Sequence, residues 1–241
     1  MKSDVFHFKR FDVRQRCSAM KVGMDGVSLG AWAFEGLDDD SEFTVWDVGA
    51  GTGLLSLMIA QRFPSCEVYA VEIDGDAAKE AEGNFVGSQF SDRLHCVSGN
   101  IFELAETLPL PDAIVCNPPY FRDSLASPDQ IRSTARHQAS LGSDSAMALA
   151  GKYLSTGGKL ALILSYEAGD RLDFLAAVNS LSLERRVDLV SVEGKLPKRT
   201  LCEFVKGCQG KNLCGALTVK NSAGTYTDEY YNLTNNFYLD K

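Results

Sequence analysis

From residue 44 onward, short runs of nearly continuous apolar residues alternate with stretches in which apolar side chains recur every three or four positions. The runs Thr44–Val48, Glu67–Val71, Leu94–Ser98, Ala113–Cys116 and Lys159–Ser165 predict strands, the last reading Lys-Leu-Ala-Leu-Ile-Leu-Ser. Between them, Leu54–Phe63, Asp76–Phe85 and Ser143–Leu154 carry helical spacing. The first stops before Pro64, and Asp74 or Asp76 caps the second. Apolar strands separated by helices mean a parallel sheet covered on both faces. After a helix over Asp170–Ser180 the pattern changes. Arg186–Val192 and Leu201–Lys206 are strand-like with no helix between them, so an antiparallel hairpin is expected to end the sheet. Ala216–Lys220 is one more strand-like piece, and the aromatic, polar stretch from Tyr226 to Lys241 shows no assignable period.

The stretch before the sheet is different. Phe6, Phe8 and Phe11 sit among basic residues, and Asp25 reads as the N-cap of a helix running through Glu35, with Val27, Gly30, Ala31 and Phe34 on one face. No linker interrupts the chain. One α/β domain over residues 1–241 is expected, with 1–36 as an N-terminal extension and 182–241 as a C-terminal hairpin and tail. Its 241 residues are 45% apolar, enough for a sizeable core. No apolar run is long enough to span a membrane, and the first residues lack a signal peptide's apolar stretch, so a cytoplasmic protein is expected. Seven scattered cysteines argue against a disulfide framework. Cys202, Cys208 and Cys214 lack a CxxC pair or a nearby histidine, so they read as small apolar residues on strands, and no metal is expected.

A net charge of −8 argues against nucleic acid, but its distribution complicates that. Residues 38 to 112 hold fifteen acidic against three basic side chains. Residues 1 to 23 hold six basic against two acidic, and residues 185 to 211 hold seven against three. Basic flanks around an acidic middle suit either a solvated surface or a face for a polyanion.

Two motifs carry chemistry. Asp47-Val-Gly-Ala-Gly-Thr-Gly53 leaves a strand and enters a helix, where glycines let the backbone turn tightly and approach a ligand. The dinucleotide spacing G-x-G-x-x-G fits neither from Gly49, whose sixth position is Leu54, nor from Gly51, whose sixth is Ser56. Glu72 ends the next strand, where an acid can accept both hydroxyls of a ribose. The second motif, Asn117-Pro-Pro-Tyr120, follows the fourth strand directly and so faces the crevice of an open sheet. An exocyclic amine is a poor nucleophile because its lone pair is delocalised. Two acceptors on its hydrogens, the Asn117 side-chain oxygen and the Pro118 carbonyl held rigid by Pro119, would free that lone pair, while Tyr120 stacks on a flat substrate.

The spacing D-x-G-x-G-x-G resembles motif one of the class I methyltransferases, and Asn-Pro-Pro-Tyr resembles the amino-methyltransferase motif that acts on adenine, cytosine, guanine or glutamine side-chain nitrogens. The resemblance implies a Rossmann-like, mostly parallel sheet, and S-adenosyl-L-methionine as cofactor. It places Asp47, Gly49, Gly51 and Gly53 at the methionine portion and Glu72 on the ribose. Ile73 then lies against the adenine, Asn100 on its amine, and Asn117 at the reacting centre. Phe8-Lys-Arg-Phe11, Cys17-Ser-Ala-Met-Lys-Val-Gly-Met-Asp-Gly-Val-Ser-Leu-Gly-Ala-Trp32, Trp46–Leu55, Asn117–Phe121, Ala135-Arg-His137 and the closing Tyr226–Leu239 are together similar to the bacterial tRNA1(Val) (adenine-N6)-methyltransferases. That similarity spans essentially the whole chain. It implies methylation of the adenine just 3′ of the anticodon in a valine tRNA, a nucleotide already single-stranded and so cheap to extrude. It also sets Lys21, Gly23 and Asp25 beside the cofactor's methionine end. Phe121, Arg122, Arg132, Arg136 and His137 become candidates for RNA contact, and Arg185, Arg186, Lys195, Lys198 and Arg199 for phosphates. A monomer is favoured. Glutamine methylation in a protein, a Rossmann oxidoreductase and a non-catalytic RNA-binding protein are the alternatives.

Overall fold

In the computed structural model, which describes residues 4–37, 41–119 and 141–240, all five apolar runs form strands, and elements too short to show a period appear around them. In chain order the strands are β1 (Val5–His7), β2 (Asp12–Arg14), β3 (Phe43–Val48), β4 (Cys66–Glu72), β5 (Leu94–Ser98), β6 (Ala113–Cys116), β7 (Lys159–Ser165), β8 (Leu181–Val190), β9 (Arg199–Lys206) and β10 (Leu213–Thr218). The helices are α1 (Met24–Trp32), α2 (Leu54–Arg62), α3 (Gly75–Val86), α4 (Ile101–Leu104), α5 (Ser143–Tyr153), α6 (Gly169–Val178) and α7 (Asp228–Thr234).

Eight strands make one sheet in the order β10-β8-β9-β7-β6-β3-β4-β5. β3 to β7 run parallel because each returns through a helical crossover, and β9 is antiparallel to both β7 and β8. The expected hairpin is therefore present, with β9 inserted between β7 and β8. β8 starts at Leu181 rather than Arg186. The last strand starts at Leu213 rather than Ala216 and runs parallel to β8 at the sheet's edge. Alternate residues of the central strands point to two cores. Val45, Val68, Val115 and Ile163 meet α1, α2 and α3, while Trp46, Ile114, Leu160 and Leu162 meet α5 and α6. β3 pairs with β4 on one side and β6 on the other, so the chain direction of winding reverses there and leaves a crevice at the strands' carboxyl ends.

Both ends of the chain join the first core. The β1–β2 hairpin buries Phe8, Phe11 and Val13, and α7 and its exit bury Tyr230 and Phe237. Lys9 N–H donates to the Phe237 carbonyl at 2.8 Å, and the Phe8 and Tyr238 rings stack 5.9 Å apart. Phe8 and Phe11 are thus core residues, and two of the cations beside them are held by Asp240 and Asp4.

Three expectations need correction here. Asp25 does not cap α1: Gly23 stands at the cap position in extended backbone, and the Asp25 carboxylate accepts from Arg199 Nε at 3.0 Å. The helix also stops at Trp32, short of Glu35. Phe34 is forced to φ +63 while its N–H donates to Glu203, Arg62 donates to the carbonyls of Gly30 and Ala33, and Arg185 donates to that of Trp32. These long-range donors satisfy carbonyls that a further turn would otherwise have used. The cysteines also differ from expectation. Cys202 is buried on β9, but Cys208 is exposed beyond β9 and Cys214 is exposed on β10.

Arg185 is nine-tenths buried, so it is a structural cation rather than a phosphate contact. It pairs with Glu203 at 3.1 Å and with Glu35, and its guanidinium lies 4.0 Å from the Trp32 ring. Glu203 is fully buried and takes Lys159 as a second cation at 3.2 Å. Arg185→Met should cost about 3–5 kcal/mol by urea denaturation, since a buried carboxylate loses a partner. Adding Glu203→Gln should recover part of that loss.

Candidate active site

Three strand ends meet at the crevice. After β3, the backbone passes through Gly49, Gly51 and Gly53 at φ +74, +56 and +77, a left-handed region that side chains disfavour. At Gly53 a Cβ would also lie 2.3 Å from the Phe85 ring, so the close packing of α3 requires glycine there. After β4, Glu72 accepts the Gly51 N–H at 2.7 Å with one carboxylate oxygen and the Asp74 N–H at 2.9 Å with the other. Asp74 then caps α3 by accepting from the N–H groups of Asp76 and Ala77. After β6 come Asn117, Pro118 and Pro119.

These ends bound two adjoining cavities. The first, of about 340 Å³, is lined by Gly49, Gly51, Glu72, Ile73, Asn100 and Phe102, and also by Asn117 and Pro119. Ile73 is 52% exposed and Phe102 42%, so two large apolar side chains face one cleft without covering it, which suits a flat ligand. The second cavity, of about 270 Å³, is lined by Lys21 to Gly26, by the glycine loop and by Asn117. Met20, Gly49, Gly51 and Asn117 border both, so the two form one trough with Asn117 at its middle. There the Asn117 amide donates to the Met20 sulfur at 3.2 Å. The strap carrying Met20 is pinned from outside, because the Glu80 carboxylate accepts the N–H groups of Arg16, Cys17 and Ser18.

Not every expected residue lines the trough. Asp47 lies beneath the glycine loop, fully buried, and its carboxylate accepts from the Ser56 hydroxyl at 2.6 Å and the Ser56 N–H at 3.1 Å. Gly53 packs on Phe85, and the Pro118 ring is buried between two lining residues, Asn117 and Pro119. Asn100 lines the first cavity while its side-chain oxygen caps α4 by accepting the Phe102 N–H. Arg199 pairs with Asp25, and Lys198 is exposed one residue away. Tyr120, Phe121, Arg122, Arg132, Arg136 and His137 lie outside the described residues.

Known proteins agree with this geometry. Residues 32–174 match the family model described as methyltransferase small domain. A tRNA1(Val) (adenine(37)-N6)-methyltransferase of Porphyromonas gingivalis is 40% identical, covering 99% of this chain and 96% of the relative. The proteins of the same name from Bacteroides fragilis and Yersinia enterocolitica are 37% and 35% identical, covering 99% and 98% of this chain and 99% and 92% of the relatives. The chain belongs to the tRNA1(Val) (adenine(37)-N6)-methyltransferase family. Among solved structures, a predicted O-methyltransferase from Agrobacterium tumefaciens superposes with a TM-score of 0.69 at 19% identity, over 88% of this chain and 96% of that one. A methyltransferase subunit of a type I restriction-modification system from Streptococcus thermophilus gives 0.58 at 16%, over 90% of this chain and 52% of that one. Both likenesses concern the fold.

A methyltransferase of this family takes its methyl group from S-adenosyl-L-methionine, and the trough has features that suit that donor: a half-open apolar cleft, an acid at the end of β4, and a glycine loop where a Cβ at Gly51 would crowd Ser18 at 3.0 Å. Met20 and Phe102 are site residues that sequence reasoning left unassigned. An aromatic residue two positions after Asn100, at the first turn of a helix leaving a strand end, is the signal that could have found Phe102. Met20 had none, since only the folded strap brings it to Asn117.

Burial pushes Asp47 up to about 6, with the nearby charge of Glu72 adding to the rise and the Ser56 hydrogen bonds opposing it. Because the folded value lies above the ordinary 3.8, folding favours the protonated acid. The benefit is complete below about pH 4 and is lost as pH rises through about 6, at a cost of about 3 kcal/mol. Asp47→Asn should keep the Ser56 hydrogen bonds and remove this term. Variant stability measured against wild type by urea denaturation should then rise between pH 4 and 7 on top of a pH-independent offset. A constant difference would show that Asp47 titrates normally.

Proposed function

We propose that this protein transfers a methyl group from S-adenosyl-L-methionine to the exocyclic N6 amine of adenine 37 in a valine tRNA, in the cytoplasm. The observation that carries the reading is Asn117. It follows β6 directly at the crevice and stands where the two cavities meet, with a glycine loop and an acid on one side of it. Near-complete similarity to relatives of that name supports the choice of substrate.

The roles follow from position. Glu72 spends one lone pair of each oxygen on a backbone N–H, and the remaining pairs accept two ribose hydroxyls. Ile73 and Phe102 would hold the purine of the cofactor between apolar surfaces, and the bare backbone of Gly49 and Gly51 would lie against its methionine end. Lys21 and Asp25, at the far end of the second cavity, offer one cation and one anion to an amino-acid group. When bound, the cofactor supplies an electrophilic methyl on a sulfonium.

Asn117 and the Pro118 carbonyl do the rest. Each accepts one hydrogen of the target amine, which draws the nitrogen toward tetrahedral geometry and directs its lone pair at the methyl. As the nitrogen–methyl bond formed and the sulfur–methyl bond broke to release S-adenosylhomocysteine, the same two acceptors would stabilise the positive charge on the nitrogen until its proton passed to water, so alignment and charge stabilisation replace a strong base. The Asn117 amide must present oxygen, not nitrogen, to the amine. Its nitrogen donates to the Met20 sulfur, which holds the amide in that orientation.

Transfer of labelled methyl to tRNA lacking this modification, followed by nucleoside analysis, tests the reading, and N6-methyladenosine at position 37 is the expected product. Asn117→Ala should lower kcat by at least a hundredfold while S-adenosylhomocysteine binds with near-normal affinity in calorimetry. Unchanged turnover would refute amine activation. Glu72→Gln should do the reverse in kind, weakening S-adenosylhomocysteine binding by roughly tenfold or more, because an amide cannot accept two hydroxyls as a carboxylate does.

A further inference from the structure

Beside the trough lies a concentration of aromatic rings that methyl transfer does not use. A third cavity, of about 420 Å³, shares Val22, Gly23 and Met24 with the second, so the two abut across the start of α1. Its walls include Phe6, Tyr226, Tyr230 and Tyr238. The Tyr226 and Tyr238 rings stack 6.0 Å apart at 16°, and those of Tyr226 and Tyr230 are 5.1 Å apart. Through Phe6, Tyr226 and Tyr238 the cavity runs on into a fourth, of about 600 Å³, where Tyr231 is 53% exposed and Leu239 55%. Tyr230 is fully buried, but Phe6, Tyr226 and Tyr238 are only half-buried, so each packs one side on the core and leaves part of its ring open along one continuous groove.

The rim is cationic. Lys220 lines the third cavity, with its ammonium 5.7 Å from the centre of the Tyr226 ring. The β8–β9 connection contributes Ser191 and Val192 to the same cavity and exposes Lys195 and Lys198. Much of the rest of the basic flank is taken up by acids: Lys9 by Asp240, Arg16 by Asp4, Arg186 by Asp188, Lys211 by Glu184. Lys195 and Lys198 make no ion pair among the described residues, so the connection that lines the third cavity carries two exposed cations open to an outside anion.

We propose that this groove seats the unpaired nucleotides flanking the target adenine in the same RNA strand, one base lying against Phe6, Tyr226 and Tyr238 and the phosphates passing Lys220, Lys195 and Lys198. The proposal rests on reading the chain as an RNA adenine methyltransferase. Stacking surfaces beside a cationic track are what single-stranded nucleic acid binds. Extruding one adenine also unstacks its neighbours, and an aromatic wall next to the reacting centre restores the stacking that extrusion loses.

Steady-state methylation of unmodified tRNA by the full chain tests this. Tyr226→Ala, Tyr231→Ala and Lys220→Ala should each raise KM for tRNA, by about tenfold for Tyr226→Ala and less for the other two. In each, kcat should move far less than KM, S-adenosylhomocysteine affinity should not change, and Tyr226→Phe should stay close to wild type. A tRNA with 2-aminopurine next to the target should be quenched on binding wild type and not on binding Tyr226→Ala. Tyr231 and Lys220 are exposed, so their variants decide the matter if Tyr226→Ala melts early. Unaltered KM in Lys220→Ala and Tyr231→Ala would overturn the groove, as would unaltered quenching by a folded Tyr226→Ala. If wild type methylates tRNA while the variants keep its KM, the groove alone fails. If wild type methylates no tRNA, the functional reading fails first.

Discussion

The hydrogen bond from the Gly51 N–H to the Glu72 carboxylate is the constraint on which the site depends. It ties the loop that leaves β3 to the end of β4, and the second oxygen of the same carboxylate fixes the entry to α3 through the Asp74 N–H. One buried acid thereby shapes two walls of the first cavity. The loop can comply only because its glycines take left-handed backbone angles, and only because Gly53 leaves room for Phe85. Asp47 completes the arrangement from below through Ser56. Burial raises the Asp47 acid, and the nearby Glu72 carboxylate adds to the rise. A donor carrying two hydroxyls and a sulfonium matches such a site in both hydrogen bonding and charge.

A second dependence runs through α1. Its residues from Gly26 to Trp32 are all buried, so it behaves as a core element rather than a surface helix. Its first turn borders the trough, where Asp25 meets Arg199. Its last carbonyls are taken by Arg62 and Arg185. The hairpin β8–β9 supplies Arg185, Arg199 and Glu203, and so anchors α1 at both ends. Much of the positive charge in the basic flank of residues 185 to 211 is consumed in this way, which reconciles that flank with a net charge of −8. What is left for an outside anion is a smaller, placed set of lysines.

The two chain termini meet through the Phe8–Tyr238 bridge and bury their rings in the same core as α2. They also build the aromatic groove that continues the trough. Segments that look like appendages in sequence thus lie beside the trough, and residues 20–26 line it together with Asn117.

Much of this was legible along the chain. The central strands, the helices between them, the glycine loop, Glu72 and the strand-end position of Asn117 follow from apolar periodicity and turn chemistry, which act between near neighbours. Helix α7 left a local trace as well, since Thr227 caps it with Asp228 and Glu229 in its first turn, but its seven residues are too few to show a period. β1 and β2 are three residues each and left none. The insertion of β9 between β7 and β8, the end of α1 at Trp32, the withdrawal of Asp47 beneath the loop and the meeting of Met20 with Asn117 were decided only by tertiary structure. The end of α1 and the meeting of Met20 with Asn117 depend on partners far apart in sequence, Arg185 and Glu35 by 150 residues and Asn117 and Met20 by 97, whereas Asp47 is drawn in by Ser56 once the loop between them has folded. Local propensity acts over a turn or two of chain. Buried charges and a shared core choose among the folds that propensity allows, because an unpaired charge or an uncovered ring costs more than any single local preference.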